Sequence, residues 1–201
     1  MPEHCHAPAC CSGERVSKAE IKRLDVQPYF DMETYLGLCQ ETRLNGDLYE
    51  KLTSLWDKWL SELNICEIKT GGTSALAVWL PEEVENEVDN LFDESPSQGF
   101  MINNLAQYMC MSAIAELLPM VEQGGCAPSP EPTLALANAL MEAGFPCNLG
   151  DALLPERRYA TVTHYPFKGG CEVCSLKDNC PKGKNYTMVL PGHEKVQKGE
   201  L

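Results

Sequence analysis

The stretch DLYEKLTSLWDKWLSEL, residues 47–63, carries the clearest structural pattern in the chain. Its apolar side chains recur every three or four residues, which is the period of an amphipathic α-helix that buries one face. These side chains are Leu48, Leu52, Leu55, Trp56, Trp59, Leu60 and Leu63. Two tryptophans on one face favour a role in a large apolar core. The stretch therefore predicts a helix that packs inside a helical domain.

Helical signals also lie on the N-terminal side of this stretch. Residues 17–20, Ser-Lys-Ala-Glu, form a capping box and predict a short helix to about Leu24. Asp31 or Glu33 predicts the start of a second helix, which the pair Asn45-Gly46 ends.

Three further helices are predicted on the C-terminal side. Pro81, followed by acidic residues, is typical of a helix start. After a predicted loop at residues 95–99, residues 100–118 are apolar on most sides, as in a helix at the centre of a bundle. Thr133 predicts the cap of the last helix, which Gly144 ends. The predicted fold class is therefore mainly α, a bundle of about six helices.

Two regions favour β-structure. In residues 65–80, the turn at residues 70–73 permits a β-hairpin, but it also permits a loop followed by a short helix. Residues 158–165 and 185–190 have the alternation of strands, and we expect them to pair antiparallel. The C-terminal region is therefore predicted as a small β-flanked loop attached to the bundle.

That C-terminal loop contains three cysteines at the spacing of metal ligands. Cys171, Cys174 and Cys180 follow the pattern Cys-x2-Cys-x5-Cys, with Gly169-Gly170 before them and Pro181 directly after. Thiolates bind iron–sulfur clusters or zinc. Zinc sites commonly pair two short cysteine hooks, and this loop has one, so the spacing favours a [4Fe–4S] cluster with zinc as the alternative.

A closed metal site needs a fourth ligand, for which the sequence offers three candidates. His164 lies seven residues before Cys171 in a predicted strand, where it either binds the metal or faces solvent or the core. Cys147 and Cys126, both in predicted loops, are the alternative thiolates. A site with three cysteines leaves one iron open to substrate or solvent, whereas a histidine ligand raises the reduction potential.

The cysteine pattern resembles the iron–sulfur loops of two known families. The helix–hairpin–helix DNA glycosylases have Cys-x6-Cys-x2-Cys-x5-Cys, and His164 stands where that family has its first cysteine. The nitrogenase molybdenum-carrier accessory proteins have Cys-x4-Cys-x2-Cys-x5-Cys, and Pro166 stands at the first position. Both resemblances imply a [4Fe–4S] cluster on the three matching cysteines. Neither extends to the body of the chain, which lacks a glycosylase hairpin or catalytic carboxylate pattern.

The net charge of −13 is unevenly distributed over the 201 residues. Residues 157–201 hold eight basic and four acidic side chains, a net charge of +4, so residues 1–156 have a net charge of −17. Such an acidic body repels phosphate backbones, which argues against nucleic-acid binding and favours a protein partner with a basic docking surface. The basic C-terminal segment is expected either to pair with the acidic body or to meet an anionic partner.

The sequence also bears on cellular location. It has no secretory signal and no apolar run of the roughly 18 residues that span a bilayer, so we expect a cytoplasmic protein without a membrane partner. In a reduced cytoplasm, eleven cysteines favour metal binding over disulfides. Cysteines at this density also point to an anaerobic host.

These features predict four regions: a Cys/His-rich arm at residues 1–15, an acidic helical domain at 16–156, a metal loop at 157–190 and a tail at 191–201. The arm carries five potential ligands without a defined spacing, which are His4, Cys5, His6, Cys10 and Cys11. The predicted function is an iron–sulfur accessory protein that transfers electrons or helps to assemble or deliver a metal cofactor to a partner enzyme. The alternatives are a chaperone-like protein-binding module with a structural zinc or cluster, and an enzyme with an open iron site.

Overall fold

A four-stranded antiparallel sheet forms the centre of the fold. The computed structural model describes residues 19–122, 126–148 and 154–180. The sheet has the strand order β1-β2-β3-β6. Its strands are β1 (Glu20–Arg23), β2 (Asn64–Lys69), β3 (Ser74–Trp79) and β6 (Ala160–His164). Two short strands, β4 (Cys147–Asn148) and β5 (Leu154–Pro155), form a separate pair.

Six helices accompany the sheet in the described part of the chain. They are α1 (Met32–Cys39), α2 (Gly46–Leu60), α3 (Glu82–Glu94), α4 (Pro96–Leu117), α5 (Pro119–Glu122) and α6 (Leu134–Ala143). Helices α1–α4 pack on one face of the sheet, and α6 packs on the other. The prediction of a mainly α-helical bundle is therefore wrong, because the fold is mixed α/β with an antiparallel sheet between helical layers.

Strand β3 is buried on both faces. Leu76 and Val78 belong to the core cluster that contains the buried residues of α1–α4. Ala75, Ala77 and Trp79 belong to the second cluster, with Leu136 and Leu140 of α6. Side chains alternate between the two faces of a strand, so a strand between two helical layers is apolar at nearly every position.

Of the two alternatives for residues 65–80, the hairpin is the one that forms. The Thr70 N–H donates to the Thr73 carbonyl across the turn at 2.8 Å. Strands β2 and β3 then pair from Lys69↔Ser74 to Asn64↔Trp79. The apolar residues of both strands lie between the two helical layers, and this tertiary burial favours strands where the local pattern was ambiguous.

Two local predictions are wrong for physical reasons. The short helix predicted from the capping box does not form at residues 20–23, because Glu20–Arg23 pairs as β1 with β2 and Ile21 packs in the α6-side cluster. Residues 95–99 are not a loop, because α4 begins at Pro96. Proline fits the first helical turn, where its missing N–H would have no intrahelical partner.

The capping signals elsewhere are confirmed, with small shifts. Asp31 accepts hydrogen bonds from the backbone N–H groups at the start of α1, which ends at Gln40 rather than at residues 45–46. Asn45 instead caps the start of α2. Thr133 caps α6, and Gly144 ends it with a left-handed φ of 88°. Side-chain caps and left-handed C-terminal residues satisfy backbone groups locally, so short sequences suffice to predict them.

The acidic body is compensated in part by two arginines of its own chain. Arg157 binds Glu82 at 2.7 Å, and Arg158 binds Asp89 at 2.7 Å. The hydrogen bond from Arg158 holds the pKa of the Asp89 carboxyl below its usual range. The expected pairing of the basic C-terminal segment with the acidic body is thus confirmed for Arg157 and Arg158. The basic residues beyond residue 180 lie outside the described chain.

Several predicted segments also lie outside the described residues. They are the arm at residues 1–15, the second predicted strand at 185–190 and the tail at 191–201. None of the helices in the described chain is long and apolar enough to cross a membrane.

Gly99 in α4 provides a test of the α3–α4 packing. A Cβ at this position would lie 2.5 Å from the Phe92 ring and 2.7 Å from the Phe92 Cα. We expect Gly99→Ala to lower the free energy of unfolding by about 1–3 kcal/mol, because the helices must separate to admit the methyl group. Urea denaturation followed by circular dichroism measures this change.

Gly37→Ala in α1 is the matched control, since a Cβ there would meet no atom within 4 Å. Alanine favours the helix over glycine by up to about 1 kcal/mol, so this variant is expected to be as stable as the parent or more stable. Equal destabilisation of the two variants would contradict the close α3–α4 contact.

Candidate metal centre

Strand β6 carries His164 to the start of the cysteine loop. The strand pairs antiparallel with β3, with His164 opposite Ala75. Side chains two residues apart share a face of the sheet, so His164 lies on the same face as Val162. Val162 packs in the α6-side cluster. The predicted strand at this position is thus confirmed, and it fixes the side of the sheet on which the loop begins.

The three cysteines of the loop flank two 3₁₀ turns. Cys171 opens the first turn, Cys171–Val173, and the Cys174 N–H donates to the Cys171 carbonyl at 3.3 Å. Cys180 follows the second turn, Lys177–Asn179, and its N–H donates to the Lys177 carbonyl at 3.4 Å. Both cysteine steps, of three and six residues, are multiples of the three-residue period of a 3₁₀ turn. The spacing therefore places each cysteine at the boundary of a turn.

Gly170 has a backbone conformation that requires glycine. Its φ of 94° and ψ of 172° lie in a region that residues with a Cβ rarely adopt. A Cβ at this position would also collide with the Glu172 carboxylate. The glycine directly before Cys171 therefore allows the sharp entry into the first turn.

The loop is anchored to the segment that follows α5. The backbone N–H of Ser175 donates to the Ser129 carbonyl at 2.9 Å. At the end of β6, the His164 N–H and the buried Thr163 hydroxyl both donate to the Pro128 carbonyl, at 3.2 Å and 3.0 Å. These bonds hold the loop and the strand against the same two residues.

The His164 ring itself contacts the loop. Its Nε2 lies 3.1 Å from the Val173 carbonyl oxygen, between Cys171 and Cys174. A carbonyl only accepts hydrogen bonds, so Nε2 carries the proton in this contact, and in the neutral ring Nδ1 then has a free lone pair. Nδ1 is buried and has no hydrogen-bond partner in the described structure. A buried polar atom without a partner is uncommon in folded proteins, so Nδ1 is the ring atom of His164 that calls for an explanation.

The other two candidate ligands differ in their surroundings. Cys147 is half-buried in β4, with its Sγ 3.9 Å from the Ala137 carbonyl. Burial, and then the nearby Glu156, raise the pKa of the Cys147 thiol, which opposes its conversion to a thiolate. Cys126 is exposed and lies two residues before Pro128 in the anchoring segment.

Of the predicted ligands, the structure brings His164 to the turn between Cys171 and Cys174, without forming a closed site. Within residues 19–122, 126–148 and 154–180, no three His, Cys, Asp or Glu side chains converge into a group that could hold a metal ion. Cys171 is exposed, and Cys174 and Cys180 are half-buried. The three thiols and the free Nδ1 are donors that suit an iron–sulfur cluster or zinc. Their side chains must turn toward one point to bind it.

Sequence reasoning missed the anchoring segment at residues 127–130. Its contacts are made by the backbone carbonyl groups of Pro128 and Ser129, and a backbone carbonyl carries no sequence signal for the residues that bond to it. It also missed Cys66, which is fully buried in β2 on the α6 side. This cysteine is part of the apolar core, and its burial there raises the pKa of the thiol.

Comparisons with known proteins add no relative: no protein-family model, curated protein or solved structure matches this chain.

The thiols of the described cysteines are expected to differ in reactivity. Burial raises the pKa of Cys110 to about 12, whereas Cys171 is exposed. Thiolates rather than thiols react with N-ethylmaleimide, so in the metal-free protein Cys171 should react at least about a hundredfold faster than Cys110. Peptide mapping by mass spectrometry over a time course measures both rates.

The same labelling in denaturant is the control, because unfolding should make the two rates similar. Rapid labelling of Cys110 in the folded protein would contradict its place in the core between α4 and β6.

Proposed function

We propose that this protein is an iron–sulfur accessory protein, which binds a [4Fe–4S] cluster through Cys171, Cys174 and Cys180 and serves a partner enzyme. The observation that supports this most directly is the contact of His164 Nε2 with the Val173 carbonyl, together with the buried, unpartnered Nδ1. Histidines that bind metals commonly donate the other ring N–H to a backbone carbonyl, which fixes the tautomer and the ring orientation. We therefore assign His164 Nδ1 as the fourth ligand.

The residues of the loop have separate tasks in this proposal. Side chains three residues apart overlie each other in a 3₁₀ turn, so the turn between Cys171 and Cys174 favours both thiols on one side. The second turn returns the chain so that Cys180 supplies the third thiol. The bond from Ser175 to Ser129 keeps the loop near the end of β6, where His164 lies.

The position of the loop suits transfer to a partner. Cys171 is exposed, and Leu176 between the two turns is half exposed. A bound cluster supplies reversible one-electron transfer, and its potential is set by its ligands, nearby hydrogen bonds and exposure. A centre at the surface is accessible to a second protein, either for electrons or for the delivery of a metal cofactor. The acidic body would dock on a basic surface of that protein.

A chaperone-like module with a structural metal is the second candidate. The hydrogen bonds of Ser175 and His164 to Ser129 and Pro128 tie the loop to the body, which is what a structural zinc or cluster would reinforce. An enzyme with an open iron site is the remaining alternative, and it requires three cysteine ligands without His164. High cysteine content and metal binding favour the reduced cytoplasm as the compartment.

Anaerobic purification tests the cluster itself. We expect a brown protein with broad absorbance near about 400 nm and about four iron and four sulfide per chain. Cys171→Ala and Cys174→Ala are each expected to lose most of this absorbance. Cys39→Ala is the matched control, because Cys39 is half-buried like Cys174 but lies in α1.

A colourless protein with one zinc per chain would reject the iron–sulfur proposal in favour of the structural module. Equal loss of absorbance in Cys39→Ala would also contradict the ligand assignment, because it would show that general destabilisation removes the cluster.

Two substitutions test the fourth ligand. His164→Ala should reduce the iron content, whereas His164→Cys should restore it, because the second variant offers a thiolate at the same position. Replacement of a histidine ligand by cysteine lowers the reduction potential, so His164→Cys should be harder to reduce than the parent. Iron analysis and protein-film voltammetry measure the two effects, and unchanged iron and potential in both variants would exclude His164 as a ligand.

A further inference from the structure

We infer that a surface groove between α1, α2 and α4 is the docking surface for the partner, and that it binds a basic, apolar segment of that protein. This inference rests on the proposed function in one respect, namely that the partner is the protein that the metal centre serves. The groove lies among the α1–α4 helices, on the opposite side of the sheet from α6.

Two adjoining depressions form this groove. The first has a volume of about 520 Å³ between α1 and the C-terminal half of α4, and the second has about 370 Å³ between α1 and α2. Tyr29 and Asp31 line both depressions, so the two adjoin at the start of α1. A groove of this size accepts side chains from an extended or helical segment of another protein.

Exposed apolar side chains line the first depression of the groove. Tyr29 is 82% exposed, Met111 is 54% exposed and Leu38 is 47% exposed, and all three line the first depression. Most exposed apolar side chains in a soluble protein are scattered singly, whereas a cluster marks an interaction surface. Met and Tyr are also enriched where proteins bind one another.

The rim of the groove is acidic. Asp31 and Glu116 line the first depression, and Glu33 and Asp57 line the second. Among the described residues that line either depression, none is lysine or arginine. A hydrogen bond from the Thr34 hydroxyl lowers the pKa of Asp31, so this carboxylate stays charged near neutral pH.

The charge of the rim selects one class of occupant. Carboxylates beside exposed apolar side chains are complementary to Lys or Arg side chains that flank apolar anchors, as in a basic amphipathic segment. Tyr29 and Tyr49 add aromatic faces that attract such cations. A second copy of this chain would bring a net charge of −13 to the same acidic rim, which disfavours self-association there.

A labelled synthetic peptide provides the test. The probe is a fluorescent Lys/Leu amphipathic peptide of about 14 residues, and its Glu/Leu counterpart is the matched probe of opposite charge. Fluorescence anisotropy on the full chain should show saturable binding of the Lys/Leu peptide that weakens with salt. The Glu/Leu peptide should not bind.

Two pairs of variants separate the groove from general charge. Leu38→Ser and Glu116→Lys should each weaken binding at least about fivefold. Leu134→Ser and Glu142→Lys are the matched controls, because they make the same changes at exposed positions of α6, and they should stay within about twofold. Equal weakening in both pairs, or no binding at all, would overturn the inference.

Two further outcomes would place a different occupant in the groove and also overturn it. The first is a dimer of the full chain in sedimentation experiments that Leu38→Ser dissociates. The second is tighter peptide binding after removal of residues 191–201, which would show that the chain's own C-terminal segment covers the groove. This deletion removes two lysines and two glutamates and leaves the side-chain charge unchanged.

The metal readout keeps the two proposals separate. Absorbance near about 400 nm is recorded for every groove variant, and it should be unchanged. If the protein binds the peptide but contains no iron, the iron–sulfur proposal is wrong and the docking proposal stands. If the protein has a normal cluster but does not bind the peptide, only the docking proposal is wrong.

Discussion

The double burial of strand β3 is the constraint on which the rest of the structure depends. All of its residues from Ala75 to Val78 are fully buried, and its two faces belong to two separate core clusters. A strand with two apolar faces needs a helical layer on each side, because each exposed Leu or Val side chain would forfeit about 1.5–3 kcal/mol. The α1–α4 layer and α6 meet this need, and β2 and β6 satisfy the backbone groups along its two edges.

Strand β6 pairs with β3, so the burial of β3 also fixes the position of the candidate metal centre. Its register on β3 is set by the two cores, since a shift by one residue would exchange the faces of all its side chains. That register places Thr163, a fully buried polar residue, where its hydroxyl meets the Pro128 carbonyl. The next residue, His164, then lies opposite Ala75 and beside the cysteine loop. The geometry of the centre thus follows from core packing.

The sequence predicted the parts of the fold whose signals are local. Helix α2 was evident from its apolar period and α6 from Thr133 and Gly144, because caps and periodicity depend on residues within one or two turns. Strand β1 was mistaken for a helix because its stabilising partner, β2, is more than 40 residues away in sequence. The predicted fold class was therefore wrong, because strand pairing between distant segments outweighed a local helix-capping signal.

The candidate site was predictable to a similar extent. The cysteine spacing and the strand that carries His164 were read from neighbouring residues, and the structure shows the histidine at the first turn of the loop. The anchoring by Pro128 and Ser129 was not predictable, because backbone carbonyls have no sequence signature. The acidic, apolar groove also required the structure, since Met111 of α4 is far in sequence from Tyr29 and from Leu38 of α1.

The contact between His164 and the loop links the sheet to the proposed metal ligands, so it offers the most direct test of His164 as a ligand. Two-dimensional NMR of ¹⁵N-labelled histidine in the metal-free protein reports which ring nitrogen carries the proton. We expect His164 to carry its proton on Nε2 and none on Nδ1, and we expect metal to change the Nδ1 signal while Nε2 stays protonated. A proton on Nδ1, or an Nδ1 signal that metal leaves unchanged, would contradict this expectation.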